Sequence, residues 1–290
     1  MRGEQKEMAR PLILSNRSFS LRRVRAAAGL ALVLIVIGTC SVTAEGSTPF
    51  ETRPAITLRA NGHPVGPPGR WRQVFSDHFN GTRLNRAKWS TCQFTNAVGC
   101  TNPGNHELEW YAASQVKVHD GAVSLTVMPK KSHGKQFVSG MISSYGKFSF
   151  EYGYVQIVAK LPKGMGLWSA FWTAPENGTW PPEIDILENW AQSPNVNLYI
   201  HFGDKNHFRA AEVAVPSYDT AFHVYGVNWT PRSISWYVDG KLTVRFNIRF
   251  PIRQYLIADL AVNGRFPPNG TDRYPQSFVI RSIEVWEPVS

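Results

Sequence analysis

Three carboxylates stand close together in the middle of the chain. Glu183, Asp185 and Glu188 fall within six residues, and every residue between them is Ile or Leu. Carboxylates are rarely held against apolar surroundings unless they are paired or used, because desolvating the charge is costly and shifts the pKa. Paired carboxyl groups also perform the acid and nucleophile chemistry of glycoside cleavage. The stretch therefore indicates a catalytic site, with a solvated acidic strand end as the alternative.

A β-strand through these residues would place Glu183 and Asp185 on one face and Glu188 on the other. One extra residue bulging near Leu187 would return Glu188 to the first face, and bulges are common beside active sites. The two glutamates would then be about 13 Å apart at Cα, and their side chains would bring the carboxyl groups to about 5 Å. Retaining glycosidases use about this separation, whereas inverting ones use roughly 6.5 to 9.5 Å.

Aromatic residues precede the acidic stretch at strand spacing. Trp168, Ala170 and Trp172 would share one face of a strand,. Large aromatic faces stack on the apolar faces of sugar rings, so both indoles are candidates for a cleft lining, with plain core packing as the alternative. His201 lies in another β-rich run and could hydrogen-bond a sugar hydroxyl or a carboxylate. A structural role is the alternative for this histidine.

The first 44 residues have the pattern of an export signal. An arginine-rich segment precedes an apolar run over about 26–38, and residues 42–44 match a cleavage pattern,. The run is shorter than the roughly 20 residues that span a bilayer, so cleavage after Ala44 is predicted, without stable membrane insertion afterwards. The mature protein is expected to be secreted, in the extracellular space or at the cell surface.

Removal of this leader changes the charge balance. Seven of the 31 Lys and Arg residues and two of the 21 Asp and Glu residues lie within it, so the formal charge falls from +10 to about +5. A surplus this small, with no arginine-rich run, does not indicate a nucleic-acid partner.

Two cysteines remain after the leader. Cys92 and Cys100 form an even pair in an exported chain, which predicts a loop-closing disulfide, with a buried free pair as the alternative,. No cluster of Cys and His has metal-ligand spacing, so neither a metal nor another cofactor is expected.

The remaining chain divides by composition. Residues 45–70 are rich in Pro and Gly and predict a linker or a loosely attached arm, whereas 71–290 have the size of one domain,. Residues 122–128 alternate apolar and polar side chains, and 233–238 and 241–246 flank an Asp-Gly hairpin turn,. Many short strands without long helical patterns predict an all-β sandwich or barrel.

With these features in place, the chain resembles glycoside hydrolase family 16, in the laminarinase-like branch whose active strand reads E-x-D-x-x-E with a bulge. Residues 183–188 match every fixed position of that motif. Further matching segments follow in order and cover nearly all of residues 71–287. They are Trp71 to Trp89, Asn105 to Tyr111, Tyr152 to Trp172, Phe222 to Gly240, and the closing strands at Ala261-Val262 and Val279 to Trp286.

The resemblance implies a β-jelly-roll sandwich of the concanavalin A-like type, with a concave sugar-binding cleft. It implies endo-acting, retaining hydrolysis of β-linked polysaccharide, with Glu183 as nucleophile, Glu188 as acid/base and Asp185 as their electrostatic partner. The cleft positions of the family are matched by Trp168, Trp172, His201 and Asn105. A polysaccharide substrate and a monomeric enzyme are expected.

The chain also departs from the family pattern. His78 and Arg281 stand where many relatives carry the acids of a structural calcium site, and hard cations need oxygen ligands,. No bound calcium is predicted, and the charge of Arg281 is expected to replace part of the ion's role. Asn228 and Asp259 stand where relatives often carry Glu and Asn, so the edges of the cleft are expected to differ.

Several functions fit these observations. The leading interpretation is a secreted endo-β-1,3-glucanase, and the bulge argues against a mixed-linkage preference. A hydrolase of mixed-linkage glucan, agar or carrageenan, and a transglycosylase, are alternatives within the same class. A jelly-roll binding module without chemistry has no need of two glutamates at this spacing. A structural envelope protein would show no cleft tryptophans.

Overall fold

The computed structural model describes residues 62–92, 99–190, 193–204, 207–270 and 272–289. The predicted leader at 1–44, and the linker up to residue 61, lie outside the described residues. Within these described ranges, the regular structure consists of sixteen strands and two short 3₁₀ turns, at Pro103–Asn105 and Ala113–Gln115. Within the part of the chain that the structure describes, a bilayer-spanning helix is absent.

The strands run in chain order with short connections. Their bounds are β1 Trp71–Asp77, β2 Glu109–Tyr111, β3 Val116–His119, β4 Ala122–Val127, β5 Phe137–Ser139, β6 Met141–Ser143, β7 Gly153–Lys160, β8 Leu167–Pro175, β9 Glu183–Asn189, β10 Asn195–His201, β11 Phe208–Ala214, β12 His223–Trp229, β13 Ile234–Val238, β14 Lys241–Phe246, β15 Gln254–Val262 and β16 Gln276–Pro288.

Two antiparallel sheets contain all but two of these strands. The six-stranded sheet has the order β11-β10-β9-β8-β15-β6, and the eight-stranded sheet has the order β14-β13-β12-β7-β16-β4-β3, with β1 paired to β16. A small parallel pair joins β2 to β5. Neighbours such as β8 and β15 are far apart in the chain, as expected of jelly-roll connections. The predicted all-β sandwich is confirmed.

Alternation along the strands explains why the sheets pack together. In β10 the burial alternates at every residue, so Val196, Leu198 and Ile200 enter the core while Tyr199 and His201 face outward. One apolar cluster takes side chains from both sheets. Each sheet thus buries one face, and the outer face of the six-stranded sheet is free to carry a site.

Residues 62–70, which the composition assigned to a linker, lie against the eight-stranded sheet. The backbone of Val65 accepts a hydrogen bond from Tyr154 Oη at 2.8 Å and donates one to Gln156 Oε1 at 3.0 Å. The indole of Trp286 donates to the carbonyl of Gly62 at 3.1 Å. These contacts fasten the segment to β7 and β16, so the packed unit begins before residue 71.

Cys92 and Cys100 form the predicted disulfide, with a Cα–Cα distance of 5.1 Å. The carbonyl of Cys100 accepts a hydrogen bond from the backbone N–H of Tyr111 at 2.7 Å. The bridge thereby fixes the chain on one side of β2.

The residues that stand where many relatives carry calcium-binding acids make other contacts. His78 Nε2 lies 3.7 Å from Glu284 Oε1. Both oxygens of Asp77 accept hydrogen bonds, from the backbone of Phe79 and from Trp89 Nε1. The guanidinium of Arg281 lies 3.8 Å from the ring centroid of Phe222, where it makes a cation–π contact,. An imidazole and a guanidinium do not fit a hard cation, so we derive no role for calcium.

Candidate active site

The acidic stretch forms β9, and its apolar residues explain its course. Ile184, Ile186 and Leu187 are fully buried in the core between the sheets. Two prolines precede the strand and end the pairing there, because proline has no N–H to donate,. At the other end, the side chain of Asn189 donates to the carbonyls of Ser193 and Asn195 and so closes the turn into β10.

A bulge in β9 brings the three acids to one face. On β8, Phe171 pairs with Leu187 and Trp172 pairs with Asp185, so Ile186 is the extra residue. The register with β10 shifts at the same place. Glu183, Asp185 and Glu188 consequently all line a single cavity. The bulge expected near Leu187 is confirmed.

The opposite sheet supports this bulge through one hydrogen bond. Trp236, fully buried on β13, donates its indole N–H to the backbone carbonyl of Asp185 at 2.8 Å. A buried carbonyl without a partner costs about 1 to 3 kcal/mol. Trp236 therefore stabilises the strand directly beneath the acids.

Replacing Trp236 with Phe should reveal the value of this bond. We expect the free energy of unfolding to fall by about 1 to 3 kcal/mol more than in Trp229→Phe, measured by urea denaturation. Trp229 is equally buried, and its Nε1 has no hydrogen-bond partner among the described residues, so it controls for lost volume. Equal destabilisation of the two variants would show that the bond contributes nothing.

The cavity lies on the outer face of the six-stranded sheet and has a volume of about 650 Å³. Such a volume is in the usual range for ligand sites. The predicted residues Trp168, Trp172, His201 and Asn105 all line it. Asp259, expected at the edge of the cleft, also lines it, as do residues that the sequence did not select, among them Glu107, Tyr111, Trp180 and Tyr199.

Each of three cleft carboxyl groups accepts a hydrogen bond from an indole. Trp168 Nε1 donates to Glu188 at 2.9 Å, and Trp180 Nε1 donates to Glu183 at 2.6 Å. Trp172 Nε1 donates to Asp259, on β15, at 2.7 Å. The tryptophans expected to stack on sugars therefore also hold the acids in place.

Burial changes the proton affinity of the acids on β9. Desolvation raises the pKa of Glu183 to about 7, although hydrogen bonds from Trp180 and Asp185 oppose the shift. Desolvation and the charge of Glu183 raise the pKa of Glu188 to about 8, against the bond from Trp168. The pKa of Asp185 lies well above its usual range, through burial and the charges of both glutamates.

The acids of β9 differ in how strongly their surroundings favour a proton. Burial and the charges of both glutamates favour a protonated Asp185, whereas hydrogen bonds from Trp180 and Asp185 oppose protonation of Glu183. These directions favour a proton on Asp185 and an ionised Glu183. An ionised Glu183 beside a proton-holding Glu188 is the arrangement that acid-assisted nucleophilic attack requires.

His201 stands opposite Glu183 in the register of β9 and β10. Its Nε2 lies 3.6 Å from Asp185 Oδ2, and burial lowers its pKa, which favours the neutral imidazole. Donor atoms of Glu183, Asp185 and His201 lie within 4.8 Å of one another, a set that could hold a divalent cation. The same atoms form the acid cluster, so we assign them no metal.

Three further residues were expected in or beside the cleft, and the structure places two of them there. Asn105 lines the cavity, and its amide donates to Glu107 Oε1 at 3.3 Å. Asp259 also borders the cleft, as expected. Asn228 does not, because it lies on β12 between Tyr154 and Ser235 of the eight-stranded sheet. That part of the prediction is wrong, since β12 belongs to the other layer.

The sequence placed Asp259 only at the edge of the cleft, through the family pattern, and it did not select Glu107. Asp259 interrupts the apolar run from 255 to 262, and both acids are buried. A carboxylate within a buried apolar strand is the signal that identified Glu183, and applied here it finds Asp259 as well.

Comparison with known proteins finds a family model and several relatives that are similar to this chain. Residues 104–254 match the model of glycosyl hydrolases family 16. An endo-1,3-1,4-beta-glycanase of Rhizobium meliloti is 33% identical over 219 residues, which are 68% of this chain and 47% of the relative. The chain thus spans about half the length of that relative.

Two further matches extend over most of the other protein. A beta-glucanase of Rhodothermus marinus is 32% identical over 248 residues, which are 74% of this chain and 85% of the relative. The laminarinase catalytic domain of Thermotoga maritima superposes with a TM-score of 0.70 at 26% identity, covering 76% of this chain and 99% of the domain.

Proposed function

Because the chain belongs to glycoside hydrolase family 16, we propose that it is a secreted, retaining endo-glucanase that hydrolyses β-1,3-glucan. The observation that carries this proposal is the bulge in β9, which brings Glu183 and Glu188 to the same face in an open cleft. The extra residue in β9 interrupts the alternation of the strand, so that both glutamates point into the cleft. Neither a binding module nor an envelope protein needs that arrangement.

The proposed reaction uses Glu183 as the nucleophile. Its carboxylate attacks the anomeric carbon, the glycosidic C–O bond breaks, and Glu188 gives its proton to the leaving oxygen. Water then gives a proton to Glu188 and its oxygen attacks the same carbon, which releases Glu183 as a carboxylate. Two displacements at one carbon retain its configuration, so the first product is the β-anomer, which proton NMR during hydrolysis detects.

Sugar binding is assigned to the residues around these acids. Trp168 and Trp172 present indole rings held by hydrogen bonds to Glu188 and Asp259. His201 and Asn105 supply polar atoms in the same cavity. Aromatic faces and a few fixed polar groups are the usual means of binding sugars in such a site.

The relatives support two candidate linkages. The Thermotoga domain is named a laminarinase, which supports β-1,3-glucan as the substrate of this chain. The Rhizobium relative is named for 1,3-1,4 linkages, which makes mixed-linkage glucan the competing candidate. A screen of purified protein against laminarin, lichenan, agarose, carrageenan and xyloglucan, with linkage analysis of products, separates them. Fastest cleavage of laminarin supports the proposal, and fastest cleavage of lichenan supports the mixed-linkage candidate.

The pH dependence should be bell-shaped. Hydrolysis needs Glu183 ionised and Glu188 protonated, and their pKa values lie at about 7 and about 8. Activity therefore rises with pH as Glu183 loses its proton and falls as Glu188 loses its own. We expect kcat/KM on laminarin to peak between these values. A maximum near the ordinary glutamate pKa of about 4.3 would contradict the assignment.

Export is part of the proposal. The leader pattern at 1–44 supports cleavage after Ala44, and the Cys92–Cys100 disulfide suits an oxidising compartment,. The mature enzyme is proposed to act as a monomer on polysaccharide, without a cofactor or a nucleic-acid partner. Mass spectrometry of protein recovered from culture medium tests the cleavage position.

A further inference from the structure

Beside the acids of β9, a tyrosine hydroxyl stands between two other carboxyl groups. Tyr111 Oη lies 3.2 Å from Glu107 Oε2 and 3.1 Å from Asp259 Oδ2. All three side chains are buried. A tyrosine hydroxyl has one hydrogen to donate and otherwise only accepts. It cannot donate to two ionised carboxylates at once, which favours a proton on Glu107 or Asp259 that is donated to Tyr111.

This cluster is connected to the sugar-binding wall of the cleft. The second oxygen of Asp259, Oδ1, accepts the indole N–H of Trp172 at 2.7 Å. On the other side, Glu107 accepts hydrogen bonds from the backbone of Asn102 and the amide of Asn105, both at 3.3 Å. A continuous chain of hydrogen bonds thus runs from the loop before β2, through Tyr111 and Asp259, to Trp172 on β8.

The electrostatic surroundings favour retention of that proton. The acids that act on Asp259 and Glu107 are Glu109 on β2 and the cluster on β9: Glu183, Asp185 and Glu188. Lys135 is a cation at this cluster, and it donates to the backbone carbonyl of Glu107 at 2.5 Å. Burial and the charge of Glu107 raise the pKa of Asp259 to about 8, and burial raises that of Glu107 well above its usual range.

We infer that Asp259 is a positioning residue that shares one proton with Glu107 through Tyr111, and that this proton holds Trp172 in its sugar-binding position. The inference rests on the proposed function for its effect on catalysis. It assigns Asp259 a role separate from the acids of β9, because its carboxyl holds the indole of Trp172 and takes no part in bond cleavage.

Loss of the shared proton has two consequences. Tyr111 then faces two carboxylates with one hydrogen, so one of its hydrogen bonds becomes a repulsion between an oxygen lone pair and a charge. A further negative charge also appears among the acids that act on Glu188. Activity should thus require a proton on Glu188 and the proton shared by Glu107 and Asp259. The fall of kcat/KM at alkaline pH should then reflect the loss of two protons.

Asp259→Asn provides the direct test. The amide can accept from Trp172 and donate to Tyr111, so it reproduces the protonated carboxyl without an ionisable group. We expect the alkaline slope of log kcat/KM against pH to change from about −2 in the wild type to about −1 in this variant. Glu107→Gln should give the same change, and it serves if Asp259→Asn does not fold.

Two other substitutions complete the series. Asp259→Leu removes the acceptor of the Trp172 indole, so KM for laminari-oligosaccharides should rise by about tenfold with a smaller change in kcat. Asp120→Asn is the matched control, because Asp120 is fully exposed on the β3–β4 turn and outside the cluster. It should keep the wild-type slope.

Infrared spectroscopy of the free protein gives a readout independent of hydrolysis. The carbonyl band of protonated carboxylic acids should correspond to one fewer group in Asp259→Asn than in the wild type near neutral pH. Equal bands, or an unchanged alkaline slope, would overturn the shared proton. Absence of hydrolysis at every pH, with the infrared difference present, would instead refute the proposed function and leave the proton assignment standing.

Discussion

Replacing Glu183 with Ala is expected to lower kcat on laminarin by at least about 10⁴-fold, because the variant lacks the carboxylate that we propose as the nucleophile. Glu188→Gln should lower it by about 10²- to 10⁴-fold through loss of the proton donor. Both variants should keep oligosaccharide binding, since the indoles that line the cleft remain. Steady-state kinetics and calorimetric titration measure the two effects.

Added azide separates the roles of the two glutamates. In Glu183→Ala, azide can enter the space of the missing carboxylate and attack the anomeric carbon once, giving the inverted glycosyl azide. In Glu188→Ala, azide attacks the covalent intermediate and gives the retained product. Glu287→Ala, on β16 of the other sheet, serves as a control and should retain activity. Wild-type rates in either glutamate variant, or exchanged azide products, would refute the assignment.

Asp185 should respond differently to two substitutions. Asp185→Ala removes the donor that keeps Glu183 ionised, so kcat should fall by about 10²- to 10³-fold. Asp185→Asn retains an N–H at the same place and should lose only about tenfold, or 1.4 kcal/mol of barrier. The comparison tests whether a protonated Asp185 donates to an ionised Glu183, the arrangement that their pKa directions favour.

The pH profile of Asp185→Ala provides a second measurement. Without the hydrogen bond, the pKa of Glu183 should rise, and the acidic limb of kcat/KM should move to higher pH. In Asp185→Asn the limb should stay near its wild-type position, since the bond is preserved. Equal losses in both variants and an unmoved acidic limb would mean that Asp185 acts through its charge instead.

The indole–carboxyl pairs give the cleft tryptophans a second function. The sequence predicts aromatic faces for sugars, and the structure adds that Trp168, Trp172 and Trp180 each donate their N–H to a cleft acid. For Glu183, which the proposed mechanism requires to be ionised, this hydrogen bond is stronger than one between neutral groups. We therefore expect substitutions of these tryptophans to change both KM and kcat.

Local sequence was sufficient for features that depend on spacing along one strand. Alternation in 168–172 placed Trp168 and Trp172 on the cleft face, and three acids with one residue too many required a bulge in β9. The disulfide was predicted from two cysteines eight residues apart, together with the expectation that the chain is exported. In each case, backbone geometry relates nearby residues by a fixed period, so their relative directions follow from the sequence.

Tertiary structure decided which strands become neighbours. Asp259 meets Trp172 across 87 residues of chain, and Tyr111 meets Asp259 across 148. Asn228, which was expected at the edge of the cleft, falls in the other sheet. No local period carries this information, because strand pairing is set by how both sheets bury their apolar faces together. The sequence thus determined the acids of β9 and their common face, whereas the fold alone placed Asp259, Tyr111 and Glu107 beside them.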